Sequence, residues 1–151
     1  MAKVGTHAMS GSLISFTISG NPKPLKRHRS TRSGRMYDPS SKDKQDMWLQ
    51  IAKHRPELPF KGCIYLKAQF YMPRPKSHYK TKAGKPTDII KEKYKTINLH
   101  SFKPDLDNLL KMICDTIQGK DRMIYDDSQI CWVSAIKTYG SPRTEITIEE
   151  I

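Results

Sequence analysis

Residues 61–72 read KGCIYLKAQFYM. Ile64, Leu66, Ala68 and Phe70 alternate with Tyr65, Lys67, Gln69 and Tyr71. An apolar period of two over that length is a strand with one buried face. It is the clearest strand in the chain, and the rest of the fold is read outward from it. Upstream, residues 40–54 place Met47, Trp48, Ile51 and Ala52 at helical spacing, with Ser40 or Ser41 available as a cap and Pro56 and Pro59 beyond the end. Residues 12–19 alternate again, with Ile14, Phe16 and Ile18 on one side. Downstream, Leu106, Leu109, Leu110, Ile113 and Ile117 form one stripe of a helix over residues 104–119, and Gly119 is a natural stop. Residues 128–138 and 143–150 read as two strands joined by Gly140-Ser141-Pro142. The order strand, helix, strand, helix, strand, strand implies an α+β fold: a small mixed or antiparallel sheet with two main helices packed on one face.

Two stretches lack this regularity. Residues 20–39, rich in Pro, Gly, Ser and Arg, read as a loop. Residues 73–102 show no clear period, and a loop that long inside a compact domain tends to be functional or disordered. Within it, residues 87–94 are expected to form a short helix. Residues 12–151 are therefore expected to make a single domain carrying a long basic loop at 73–102. Residues 1–11 are read as a disordered tag or tail, because GTHAMSGS resembles an expression-vector remnant.

Lys plus Arg number 27 against 15 Asp plus Glu, a formal net charge of +12, which implies a polyanionic partner. The positives cluster. Lys23, Lys26, Arg27, Arg29, Arg32 and Arg35 share one stretch with no acid, and a second basic run covers residues 74–95. A solvated face explains either run alone. Two such runs beside a separate acidic cluster suit a chain that grips phosphates with one region and holds metal with another. No apolar run reaches the roughly 20 residues a bilayer needs, and residues 1–11 lack the apolar core of a secretory signal. Cys63, Cys114 and Cys131 cannot close a disulfide framework and contain no CxxC pair. A reducing cytoplasm is the expected setting. The three cysteines are expected to be buried small hydrophobes, and Trp48 and Trp132 to fill the core or a dimer interface. His28, His54, His78 and His100 show no ligand spacing and read as structural or surface residues.

Two acidic segments carry the chemistry. In KPDLDNLLK, residues 103–111, Pro104 and Asp105 suit a helix start and Asp107 falls in its first turn, where the helix dipole favours a carboxylate. Asp107, Lys111 and Asp115 follow at i, i+4 steps on the side opposite the leucines. Caps and a surface salt-bridge ladder would account for them. So would a metal site, and at this stage both readings stand. In IYDDSQ, residues 124–129, Asp126 and Asp127 lie side by side before an apolar strand. Mg²⁺ takes oxygen ligands, usually one or two carboxylates plus waters and substrate phosphate. Asp105, Asp107 and Asp127 converging from different elements would supply such a site. Lys111, one turn beyond Asp107, would neutralise charge on a reacting phosphate.

KPDLDNLLK followed by YDDSQI resembles the RusA-type endodeoxyribonucleases, the Holliday-junction resolvases of bacteria and their phages. GNPKPLKRHRSTRSGRMYDP is similar to that family's opening strand and basic loop, and His100 has frequent counterparts there. The resemblance runs from about Ile14 to the C-terminus. It implies a homodimer that binds a four-way DNA junction and nicks one strand per subunit at symmetric positions, with Mg²⁺ (Mn²⁺ as an alternative) as cofactor, in recombination and repair. It assigns metal binding and catalysis to Asp105, Asp107 and Asp127, and catalysis to Lys111. Asn108 and Asp126 are placed behind them in supporting roles. Lys26, Arg27, Arg29, Arg32 and Arg35 are expected to contact DNA phosphates, mostly without regard to sequence. The competing reading is a non-catalytic basic DNA-binding protein whose acids only cap a helix and a turn.

Overall fold

The computed structural model describes residues 12–151; the expectation of a tag or tail at residues 1–11 lies outside them. Four strands make the main sheet: β1 (Leu13–Ser19), β4 (Ile64–Met72), β7 (Ile130–Tyr139) and β8 (Arg143–Glu150), in the order β1-β8-β4-β7. β8 runs antiparallel to both β1 and β4, whereas β4 and β7 are parallel. The sheet is therefore mixed. Ala68 of β4 stands opposite Ile146 of β8 and Ala135 of β7.

The alternation in β4 does what its period requires. Ile64, Leu66, Ala68, Phe70 and Met72 are all buried, and they meet Ile146 and Ile148 of β8 and Phe16 and Ile18 of β1 in one core. Two helices cover that face: α1 (Ser41–Ile51) and α2 (Leu106–Ile117). α2 buries Leu109, Met112, Ile113 and Ile117, the lower half of its predicted stripe with Met112 added. α1 contributes Met47 and Ile51 and packs against α2 and β1. The opposite sheet face carries Tyr65, Lys67 and Trp132, all partly or fully open to solvent.

The irregular stretches hold more structure than their composition implies. Residues 20–39 contain a short ribbon of β2 (Arg29–Ser30) and β3 (Met36–Tyr37). Its turn is closed by Thr31 N–H donating to the Arg35 carbonyl at 2.9 Å and by Gly34, whose φ of 80° only glycine adopts freely. The helix expected over residues 87–94 is largely a strand. β5 (Tyr79–Lys82) and β6 (Lys85–Ile90) form a hairpin, and only Glu92–Tyr94 makes a single 3₁₀ turn. The hairpin turns through Ala83 and Gly84, both at positive φ, as a two-residue hairpin turn requires. An Ala in that position carries none of the usual turn signal, so the hairpin was not legible.

Three further expectations are corrected. Cys63 and Cys131 are exposed and Cys114 is half-buried, because the first two sit at the start of β4 and β7 beyond the helix-covered core. Of the two places expected for Trp132 the core is excluded, since it is 60% exposed and lies on Tyr65 with ring centroids 4.6 Å apart, which leaves the dimer interface as its expected place; Trp48 packs against the core. Ser40 precedes α1 but makes no side-chain cap; its buried hydroxyl instead accepts the Lys26 N–H at 2.8 Å.

Lys44 ties the helical layer together, donating to Asp38 at 2.6 Å and lying 3.3 Å from Asp115 on α2. Asp38 also accepts the Ser40 N–H at 2.8 Å. The Lys44 ammonium, first, and that backbone N–H hold the Asp38 carboxyl below its ordinary value of 3.8. A depressed carboxyl stabilises the fold above its unfolded pKa, and that contribution disappears as pH falls through the folded value. Urea unfolding is expected to show stability dropping below about pH 4, with Asp38→Asn flattening part of the drop. An unchanged acid limb in that variant would remove the pair from the account.

Candidate active site

α2 presents two faces, and its buried stripe fixes where the other points. Asp107, Lys111 and Cys114 follow one another at i, i+4, i+7 and so share a side of the helix. Asp105 is the residue before the helix; its carbonyl accepts the Leu109 N–H at 3.1 Å, but its side chain caps nothing. Both carboxylate oxygens of Asp105 accept from the Lys103 ammonium at 2.7 Å. That contact, with help from Lys137, holds the Asp105 carboxyl below its ordinary value and keeps it ionised. Asp107 accepts one short bond, from the Asn108 N–H at 2.9 Å. Among the described residues it has no ion-pair partner, and neither does Lys111.

Asp105, Asp107, Asn108 and Lys111 line a cavity of about 300 Å³, and its other wall is Leu25, Lys26 and Arg27. The basic loop is fixed there by two bonds. Leu25 N–H donates to the Asn108 carbonyl at 3.0 Å, and Lys26 N–H donates to Ser40. Asn108 thus serves the site through its backbone, as the post that the loop hangs on. Arg29, Arg32 and Arg35 lie farther along, exposed on and around the β2–β3 ribbon.

Asp126 and Asp127 have separate tasks. Asp126 accepts the Ser128 N–H at 2.9 Å and closes a reciprocal cap with Gln129; Ser128, through its hydroxyl first and then its N–H, holds the Asp126 carboxyl low. It is a structural residue. Asp127 is exposed and accepts no hydrogen bond or ion pair from the described residues; its N–H donates to Gln118 Oε1 at 2.9 Å. Its carboxylate approaches α2 near Cys114, whose thiol is pushed up to about 11 by burial first and then by the charges of Asp127 and Asp115. Asp127 does not line the Asp105–Asp107 cavity. Cys114 is seven residues beyond Asp107, about 10 Å along the helix axis, and Lys111 lies between. Among the described residues, no three His, Cys, Asp or Glu side chains already form a metal-sized cluster. The donor set is nonetheless the hard-oxygen kind that Mg²⁺ takes, and one or two carboxylates suffice for that ion.

Three residues that the sequence reading passed over hold this arrangement. Gln129 Oε1 accepts from the Tyr125 and Asp126 N–H groups at 2.8 and 3.0 Å, while its Nε2 donates to the Phe60 and Gly62 carbonyls at 2.7 and 3.1 Å. It pins the acidic turn to the start of β4. Gln118 orients Asp127. Lys137 of β7 donates to the Phe102 and Pro104 carbonyls, each at 2.7 Å, and fixes the approach to Asp105. The only available signal for Lys137 was a lysine on the helix-facing side of an otherwise apolar strand.

Residues 19–149 match the family described as Endodeoxyribonuclease RusA. No curated protein matches the sequence. No helix among the described residues is long and apolar enough to cross a membrane.

Lys137→Met keeps the aliphatic stem and deletes both carbonyl bonds. It is expected to cost about 1–3 kcal/mol, read by thermal or urea denaturation, and to lower any activity that depends on Asp105 placement. Wild-type stability in that variant would show that Lys137 is not what holds the Asp105 segment.

Proposed function

The chain belongs to the endodeoxyribonuclease RusA family, and from that premise we propose that it resolves four-way DNA junctions by paired, symmetric, divalent-cation-dependent nicks. The observation that carries this reading is a shared cavity. Lys26 and Arg27, suited to phosphate oxygens, face Asp105 and Asp107 across the same 300 Å³ space. A protein that only bound DNA would gain nothing from the unpaired Asp107 carboxylate there, since it repels the backbone it faces. The alternative of acids serving as caps accounts for Asp126 and for Asp107, which accepts the Asn108 N–H in the first turn, but not for Asp105 or Asp127, whose side chains cap nothing.

Asp105 and Asp107 are assigned as the residues that hold Mg²⁺ or Mn²⁺; Asp127, which lies outside their cavity, is assigned as the third ligand on the resemblance alone. When bound, such an ion lowers the pKa of water and offsets charge on the phosphate. Lys26 and Arg27 grip the phosphates flanking the scissile one, and the ribbon arginines extend that contact. Lys111, which lines the same cavity and pairs with no acid among the described residues, is assigned to stabilise charge building on the reacting phosphate. Asp105 stays ionised because Lys103 and Lys137 favour its charged form. Lys103 is mostly exposed and can swing away when substrate arrives.

Paired nicks need two sites, and this chain supplies one candidate. A homodimer is therefore part of the proposal. β7 supports it: it is an edge strand, with Trp132, Val133 and Ile136 exposed along it.

Two outcomes test this reading. Four-way junctions are expected to be nicked in Mg²⁺ but not in EDTA, with linear duplex cut far more slowly. Asp107→Asn is expected to lose at least about 100-fold in nicking while still shifting junctions in a gel. A variant that nicks at the wild-type rate would refute the metal assignment. Separately, Arg27→Ala is expected to weaken junction and duplex binding alike and to reduce the slope of log K against log salt by about 1. An unchanged slope would remove Arg27 from the phosphate contacts.

A further inference from the structure

A larger cavity lies on the other side of Lys137. It has a volume of about 540 Å³, within the range of small-molecule sites, and is walled by Arg74, His78, Tyr94, His100, Phe102 and Tyr139. Neither acidic segment reaches it. Its walls are rings: His78 stacks on Tyr94 with centroids 3.9 Å apart and planes 9° apart, and Tyr139 meets His78 and His100 edge-on at 5.3 and 5.1 Å. Phe102 stands at its mouth, 65% exposed and edge-on to His100.

The one charged side chain among these walls is Arg74. Arg74 is committed to the protein: its Nη1 and Nη2 donate to the Tyr94 and Ile97 carbonyls at 3.3 and 2.9 Å, and its guanidinium lies over Tyr139. Its Nη1 also lies 3.4 Å from His78 Nδ1. A guanidinium only donates, so Nδ1 accepts and the His78 proton resides on Nε2. His100 Nδ1 is buried with no partner among the described residues, which leaves Nε2 as the nitrogen able to meet a ligand. Burial first, then neighbouring cations, push both imidazoles below their ordinary value, so neither adds charge. Outside, Lys91 and Lys93 bring positive charge close to His78, and the Lys93 ammonium lies 4.9 Å from the centre of the Tyr94 ring.

Neutral aromatic walls behind a basic rim fit a planar heterocycle whose attached backbone is anionic and stays outside. We propose that this cavity receives one unstacked nucleobase of the DNA strand held at Asp105 and Asp107, against Phe102 and the His100 ring. Position supports it. Residues 98–104 are laced to β7 through the Leu99–Thr138 bridge, His100 N–H to the Lys137 carbonyl at 3.1 Å and Tyr139 N–H to the Asn98 carbonyl at 2.8 Å. Phe102 is three residues from Asp105, at most about 11 Å of chain, so a nucleotide neighbouring the scissile phosphate reaches both. Unstacking costs least where base pairing is already disturbed, and the exchange point of a junction is such a place. The inference rests on the proposed junction reading and adds a base-holding subsite to it.

The test is a set of four-way junctions in which one abasic nucleotide steps along the nicked strand. Binding is measured in EDTA for the wild type, Phe102→Ala and Tyr94→Leu. Phe102 is mostly exposed, so its truncation leaves the core intact; thermal denaturation checks this for both variants. For the wild type, one abasic position beside the nick is expected to weaken binding by about 5- to 150-fold. In Phe102→Ala, intact junctions are expected to bind more weakly, and that abasic position to cause little further loss. A wild type that binds junctions with a flat abasic profile overturns this subsite alone, as does an abasic loss that persists undiminished in a folded Phe102→Ala. A wild type that binds no junction overturns the junction reading and this inference with it.

Discussion

The burial of one stripe of α2 sets the geometry of everything else. Leu109, Met112, Ile113 and Ile117 are almost wholly removed from water in the core they share with β4 and β8, on a helix that packs against α1 and β7. Burying such side chains is worth roughly 1.5–3 kcal/mol each, and the four act together on one face. A helix held that firmly on one side has no freedom in what it shows on the other. Asp107 and Lys111 are therefore presented along one line to solvent, and Asp105 sits at the head of that line. The core does not take part in the chemistry, but it decides the direction in which the charged groups point.

Around that helix, the chain places charge by tethering backbone. The basic loop reaches the acids because Leu25 bonds to Asn108 and Lys26 to Ser40. The acidic turn is held at the far end of α2, where Gln129 clamps it to residues 60–62 and Gln118 orients Asp127. The segment before Asp105 is held by Lys137. In each case a buried or half-buried polar group satisfies backbone donors or acceptors, which would be costly to leave unpaired. The carboxylates themselves remain largely uncommitted. Asp107 and Asp127 form no ion pair with any described residue, in a chain whose lysines and arginines far outnumber its acids. Leaving such groups unneutralised is expected of residues kept free for a ligand.

Much of the main sheet and both helices was legible because each follows a single apolar period. β4 alternates over its full length and the α2 stripe repeats at helical spacing, so local pattern and tertiary burial agree. β7 was less legible, since an edge strand with exposed Trp132 and Val133 has no clean alternation. The β5–β6 hairpin was missed because Ala83 occupies a positive-φ turn position that sequence patterns assign to Asn, Asp or Gly. Within the site, residue types and spacing indicated Asp105, Asp107, Lys111 and Asp127. They could not separate Asp126 from Asp127, because a cap and a free carboxylate look alike until the Ser128 and Gln129 bonds are seen. Gln118 and Lys137 act through backbone atoms far away in sequence, and no local pattern reports that.

The account's central claim is that these uncommitted carboxylates exist to hold hard divalent cations. Titrating the protein with Mn²⁺ in the absence of DNA, and following the loss of the free-ion electron paramagnetic resonance signal, tests it most directly. The account predicts saturable binding by the wild type that Mg²⁺ displaces and that Asp107→Asn sharply weakens. Binding of equal strength in that folded variant, or none in the wild type, would contradict it.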